Sequence, residues 1–171
     1  HLLSFNAPDH ADSGACPKCH GLGRIIDLDE KKLVADPALS LRDGALALWT
    51  PKAYKHINIQ HETIEALAGR CGFAPDLPWA ELTQEARHML LDGTGNEWIQ
   101  GIDWKTGRKQ GAPRPFEGFR AAILRRWESS LTAAQRLGEF VKEGDCPVCR
   151  GSRWSRKALA LRVANLGLAE W

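Results

Sequence analysis

Four of the five cysteines fall in two copies of one pattern. Cys16-Pro17-Lys18-Cys19-His20-Gly21 and Cys146-Pro147-Val148-Cys149-Arg150-Gly151 both read C-P-x-C-x-G. Each pair can present two thiolates to one tetrahedral Zn²⁺, and two such knuckles complete a closed site of the structural kind. The glycine two positions past each second cysteine lets the backbone turn back beneath the metal, because only glycine enters positive φ without a steric penalty. Residues 20–145 separate the pairs, where an ordinary zinc ribbon has about 15 to 20 residues. The spacing therefore predicts a whole domain inserted between the knuckles, with the metal fastening its root. The same C-x-x-C spacing suits a redox dithiol. Against that reading stand the duplication itself, the Ser13-Gly14-Ala15 lead-in and the Gly-rich chain after the first pair. Lys18, Arg24, Arg150 and Arg153 flank the knuckles, where they offset the formal charge of four thiolates on Zn²⁺. Cys71 is left over and is expected to be a buried, inert thiol.

A second set of residues could bind an anion. Residues 1–100 carry 9 Lys/Arg against 14 Asp/Glu, and residues 101–171 carry 14 against 7. Such asymmetry points to an anionic partner such as nucleic acid. Within the basic half, Lys105, Arg108, Lys109 and Arg114 lie within ten residues with no acid among them, and Arg120, Arg125 and Arg126 follow. These seven are the candidate phosphate contacts, since sequence-independent binding needs cations facing the backbone. Two other readings use the same residues: a structural insert with a solvated positive face, or an arm that docks a protein partner. Convergence of the cations on one face separates the first two, and a steep salt dependence separates DNA from a protein interface. His56, His61 and His88 are scattered without a second ligand at metal spacing.

The elements that position these groups are read from periodicity. Leu2 to Asn6 suits a short strand or extended entry, and Arg24–Asp29 a strand leaving the first knuckle. Glu30–Val34 suits a turn or short helix. Ile57, Ile64, Leu67 and Ala68 recur near helical spacing, with Gly69 as the expected C-cap. A helix capped by Thr83 carries Glu85 in its first turn, shows Ala86, Met89 and Leu90 on one face, and stops at Gly93. From Glu97 the period changes to two, predicting a β-hairpin from about Trp98 to Ala112 with Trp98, Ile102 and Trp104 on one face. Phe116, Phe119, Ile123 and Trp127 form the apolar stripe of the next helix, expected to pack on Trp98 or Trp104. Thr132-Ala133-Ala134-Gln135 reads as a capping box opening a helix with Leu137, Phe140 and Val141 inward. Ala158–Ala164 alternates as a strand. The fold class is thus α+β: a zinc-knuckle module with an inserted small α+β domain containing a β-hairpin and several helices.

With 171 residues, 43% apolar and 26% charged, the composition is that of an ordinary globular protein. No apolar run approaches the length of a membrane span, and unpaired thiols arranged as metal knuckles point to a reducing cytoplasm. No G-x-x-x-x-G-K-S/T phosphate loop or ABC-type signature loop occurs, so no ATP hydrolysis is expected of this chain. Its two ends interrupt the patterns they belong to, as in a piece of something larger.

Taken in order, Leu3-Ser4-Phe5-Asn6, Gly14-Ala15-Cys16-Pro17-x-Cys19-x-Gly21-Leu22-Gly23, Asp36-Pro37-x-Leu39-Ser40-Leu41-x-x-Gly44-Ala45, Pro115-Phe116-Glu117-Gly118 and Cys146-Pro147-x-Cys149-x-Gly151-x-Arg153 resemble the UvrA family, the damage-sensing ATPases of bacterial nucleotide excision repair. The resemblance implies that residues 1–26 and 144–171 are zinc module and signature-region fragments and that 27–143 are the insertion domain, which in that family helps hold DNA. It also implies a structural zinc, double-stranded DNA bound without regard to sequence, contacts to other UvrA regions, a UvrB-like repair partner, and ATP bound by the parent protein outside this chain. Asp9-His10-Ala11-Asp12 as extra loop and Trp154 in place of the family's usual Leu mark a divergent member. A paralogue that protects against DNA-binding antibiotics is the alternative parent.

Overall fold

The computed structural model describes residues 2–4, 6, 13–49, 59–103, 106, 108–163 and 166–167. His56, Ile57, Trp104, Lys105, Gly107 and the Asp9–Asp12 loop lie outside them. The architecture is α+β, and the chain divides into two compact units: residues 1–27 with 142–171, and residues 28–141.

In the first unit, strand β1 (Arg24–Leu28) pairs with β4 (Val141–Asp145). Leu2 and Leu3 form a turn in place of the expected strand. The expected strand over 158–164 is also absent as such. Ser155 accepts the Ala158 N–H at 3.2 Å and caps a short helix, α6 (Arg156–Leu159), after which β5 (Arg162–Val163) pairs antiparallel with β6 (Leu166–Gly167). A side-chain cap one turn upstream has overridden the alternating pattern.

The second unit is built on helices. After α1 (Glu30–Leu33), helix α2 (His61–Cys71) runs three residues past the expected stop and ends at Gly72, which is left-handed at φ +69°. Gly69 inside a helix costs only about 1 kcal/mol relative to Ala, whereas Gly72 supplies the cap geometry that ends it. Helix α3 (Gln84–Asp92) has the expected ends: Thr83 Oγ1 accepts the Ala86 N–H at 3.1 Å, and Gly93 follows. Ala86, Leu90 and Leu91 are its buried face.

Strands β2 (Trp98–Ile102) and β3 (Lys109–Pro115) form the expected antiparallel hairpin, but its face is reversed. Ile99 is the inward residue, 8% exposed, and Trp98 is 69% exposed. A register irregularity between Ile99 and Gly101 breaks strict alternation, so Ile102 also reaches the core. The helix stripe therefore does not pack on Trp98. Along α4 (Gly118–Glu128), Phe119 and Ile123 are fully buried and Trp127 only partly so. The aromatic partner of Phe119 is Trp49, edge-on at 5.9 Å, with Phe116 on its other side at 6.2 Å. Helix α5 (Leu131–Leu137) is capped by Ser130, not Thr132, through the Ala133 N–H at 3.2 Å. Leu137 is buried as expected, but the helix ends there. Phe140 follows in a 3₁₀ turn and Val141 already belongs to β4.

One close approach explains the Pro-Phe-Glu-Gly motif. Gly93 and Gly118, both at φ +85°, bring the end of α3 against the start of α4. A Cβ on Gly118 would lie 2.5 Å from both the Gly93 nitrogen and the Leu91 carbonyl oxygen. Gly118→Ala therefore combines a left-handed backbone with a backbone clash, and is expected to cost about 3 kcal/mol or more in urea denaturation. A change below about 0.5 kcal/mol, ordinary for a surface position, would contradict this packing.

Candidate functional site

The two knuckles have the same backbone. His20 and Arg150 are left-handed at φ 50° and 51°, and Gly21 and Gly151 follow at 79° and 84°. Each tight turn is closed by its own cysteines: Leu22 N–H donates to the Cys19 carbonyl at 2.9 Å, and Ser152 N–H to that of Cys149 at 3.0 Å. The halves also bind each other. Cys16 N–H donates to the Arg153 carbonyl at 2.8 Å, Cys146 N–H to that of Gly23 at 2.9 Å, and Arg153 Nε to that of Gly21 at 2.6 Å. Cysteines far apart in sequence thus meet because the backbones around them are cross-bonded.

All four sulfurs lie within 4.8 Å of one another. Cys16 and Cys146 Sγ are 3.9 Å apart, and Cys19 and Cys149 Sγ 3.6 Å. A tetrahedron of sulfurs around zinc at about 2.3 Å has edges of about 3.8 Å, so the donor set fits that ion. The separations are far too long for a disulfide of about 2.05 Å, and all five cysteines are free thiols. Electrostatics points the same way. Burial pushes the Cys19 thiol up to about 11, the Gly23 N–H opposing and the neighbouring thiols reinforcing the shift. At Cys146 burial acts in the same direction, but the N–H groups of Cys149 and Val148 together with the Cys149 and Cys16 thiols outweigh it and hold the thiol down at about 7. Four sulfurs this close ionise together only around a cation. Cys71 lies apart and half-buried, its Sγ 3.3 Å from Met89 Sδ, and burial raises its pKa.

The candidate cations separate into two groups. Arg120 is held by two carboxylates, Asp92 at 2.6 Å and Glu30, and Arg125 by both oxygens of Glu117. Among the described residues, the Arg126 guanidinium reaches the Ser129 hydroxyl alone, at 3.4 Å. Arg108 and Lys109 are exposed on the hairpin, and Arg114 donates to a neutral amide oxygen, Gln60 Oε1, at 2.5 Å. The tip also carries an acid: Asp103 accepts the Thr106 N–H at 2.7 Å and Gln110 Nε2 at 3.1 Å, building the turn. The sequence reading missed Glu30 and Asp92 as partners of Arg120, because they lie on other helices with no local spacing to betray them. His61 pairs with Glu62 at 3.4 Å and His88 with Asp92 at 2.8 Å. Among the described residues, no helix is long and apolar enough to cross a membrane.

Comparison with known proteins agrees with this arrangement. The chain is 35% identical over 171 residues to the UvrABC system protein A of Agrobacterium fabrum, covering 99% of this chain and 17% of that protein. It is 33% identical over 172 residues to the protein of the same name from Rickettsia felis, with the same coverage. The chain thus spans about a sixth of the length of the curated relatives it matches. The crystal structure of UvrA2 from Deinococcus radiodurans superposes with a TM-score of 0.72 at 29% identity, over 99% of this chain and 21% of that one. Residues 29–137, most of the chain and nearly all of its helical unit, match the model of the UvrA DNA-binding domain, and the protein belongs to that family.

Proposed function

We propose that this chain is the zinc-braced DNA-binding insert of a UvrA-like protein of nucleotide excision repair, gripping duplex DNA through its phosphates without reading sequence. The observation that carries the reading is the uneven charge pairing. Arg108, Lys109 and Arg114 have no carboxylate partner among the described residues, whereas Arg120 and Arg125 are matched to acids. Cations left open to solvent on a hairpin of a DNA-binding family can release counterions when they meet phosphates. A surface that acts through phosphates senses the shape and deformability of the duplex.

Residues 1–26 and 144–171 serve as zinc module and signature-region fragments, and 27–143 as the insertion domain. The division of the chain at 27/28 and 141/142 supports that assignment. Cys16, Cys19, Cys146 and Cys149 hold one Zn²⁺, which cross-links the two ends of the insert and performs no chemistry on substrate. ATP binding and hydrolysis belong to parts of the parent outside this chain, as does the meeting with a UvrB-like partner in the cytoplasm.

Replacing Lys105, Arg108 and Lys109 together by Ala is expected to weaken binding to damaged and undamaged duplexes about equally. The slope of log K against log salt should flatten by about 0.9 per lost phosphate contact. A triple variant that binds both duplexes as tightly as the parent chain across a range of salt would make the hairpin a structural or protein-docking arm.

A further inference from the structure

We infer that the groove between the start of α2 and strand β3 is a built phosphodiester site, in which the Thr63 hydroxyl and the Arg114 guanidinium hold one backbone phosphate of the bound strand. The inference rests on the DNA-binding reading above and adds to the hairpin cations a specific, partly desolvated grip.

Thr63 is only 8% exposed, and its hydroxyl, which has no hydrogen-bond partner among the described residues, keeps part of that exposure, since it is not one of the fully buried atoms left unsatisfied. A helical threonine can satisfy its hydroxyl on the carbonyl four residues back, but Thr63 does not. Here that carbonyl, of Ile59, accepts the Trp49 indole N–H at 2.9 Å. Thr63 lines a cavity of about 310 Å³ whose lining also includes Gln60, Arg114 and Arg125. Gln60, Thr63 and Arg114 continue into a neighbouring cavity of about 430 Å³. The two cavities thus share three lining residues.

The donors suit an acceptor-only oxyanion. Gln60 Oε1 orients Arg114 without cancelling its charge, which leaves the Gln60 amide N–H groups to donate. Gln60 stands at the N-cap of α2 but makes no side-chain cap there. The positive end of the dipole of this eleven-residue helix lies at Gln60, on the lining of the smaller cavity. Two acids border the groove. Glu117 is engaged by Arg125, and Glu62, beside His61, lines only the larger cavity. Charge thus favours the phosphate in the smaller cavity, with the sugar of the strand toward the larger one.

The test is binding of a short duplex to Thr63→Val and Arg114→Gln variants of the whole chain at several salt concentrations. Thr63→Val keeps shape and charge, so it should weaken binding about tenfold, as expected for a lost hydrogen bond to a charged group. Its salt slope should be unchanged, because no counterion is involved. Its Tm should not fall, because an unpartnered hydroxyl is being replaced by a methyl group. Arg114→Gln should weaken binding more than Lys109→Gln, a change of equal charge on the same strand outside the groove. Thr63→Val binding within about twofold of the parent chain, or Arg114→Gln no weaker than Lys109→Gln, overturns the inference. If the hairpin triple variant is still impaired in that case, the DNA reading survives and this one alone falls. A parent chain that binds no duplex removes both.

Discussion

Replacing Cys146 with Ser should abolish stoichiometric zinc binding and unfold the first unit. The reason lies in how little else holds that unit together. Among its described residues the buried apolar side chains are Ala15, the four knuckle cysteines and Ala158, with Ile25 packed against the sulfurs. A unit with so small an apolar core cannot offset its conformational entropy by burial alone, and needs a cross-link such as a metal. Structural zinc contributes about 10–16 kcal/mol of apparent binding energy to small zinc domains, and that energy is folding energy. Removing one of four thiolates forfeits the larger part. Native purified protein should carry one zinc per chain, and the serine variant a small fraction of one. In an amide NMR spectrum the resonances of residues 13–27 and 142–160 should collapse to random-coil positions. The second unit has its own extensive core, from Leu28 through Phe140, and should keep its dispersion. Chelation at neutral pH should give the same spectrum. Clearly less than one zinc per chain in protein purified without chelator would refute the assignment. So would a mass 2 Da low, the sign of a disulfide.

The four-cysteine cluster was readable in the sequence because each of its two halves is local and the halves match. Two C-P-x-C-x-G stretches fix their own turns, and their left-handed residues at 20–21 and 150–151 follow from the same short pattern. The ends of α3 were readable for the same reason, since Thr83 and Gly93 act within one turn of themselves. The hairpin existed where the period changed, but its inward face did not follow. Both sides of β2 carry apolar residues, and only the packing of the strand on α2 decides that Ile99 goes in and Trp98 stays out. Charge was the least legible quantity. Arg120 and Arg125 looked as available as Arg108 until the fold brought Asp92, Glu30 and Glu117 to them. Thr63 carries no sequence signal, because neither its burial nor the cavity it shares with Arg114, fifty-one positions later, follows from local spacing.

Phe119→Ala should cost the second unit about 3–5 kcal/mol, the usual range for removing a core phenylalanine. The side chain has no exposed surface, and its ring makes edge-to-face contacts with both Trp49 and Phe116. Such pairs contribute about 0.5–1.5 kcal/mol beyond the area they bury. Trp127 lies on the same stripe and looks equivalent in the sequence, but it is only partly buried at the margin of the core. Trp127→Ala should cost about half as much, in proportion to the area it removes from water. The comparison is decisive because both changes delete a large aromatic group from one helix, so intrinsic helix propensity nearly cancels. Urea denaturation of the whole chain, followed by a probe in the second unit, should place the Phe119→Ala midpoint well below that of Trp127→Ala. A Trp49→Ala, Phe119→Ala double-mutant cycle should return a coupling of about 1 kcal/mol. If Trp127→Ala proved the more damaging change, α4 would be turned about its axis relative to this packing. The pairing of Arg120 with Asp92 and Glu30, which depends on the same rotation, would then fail with it.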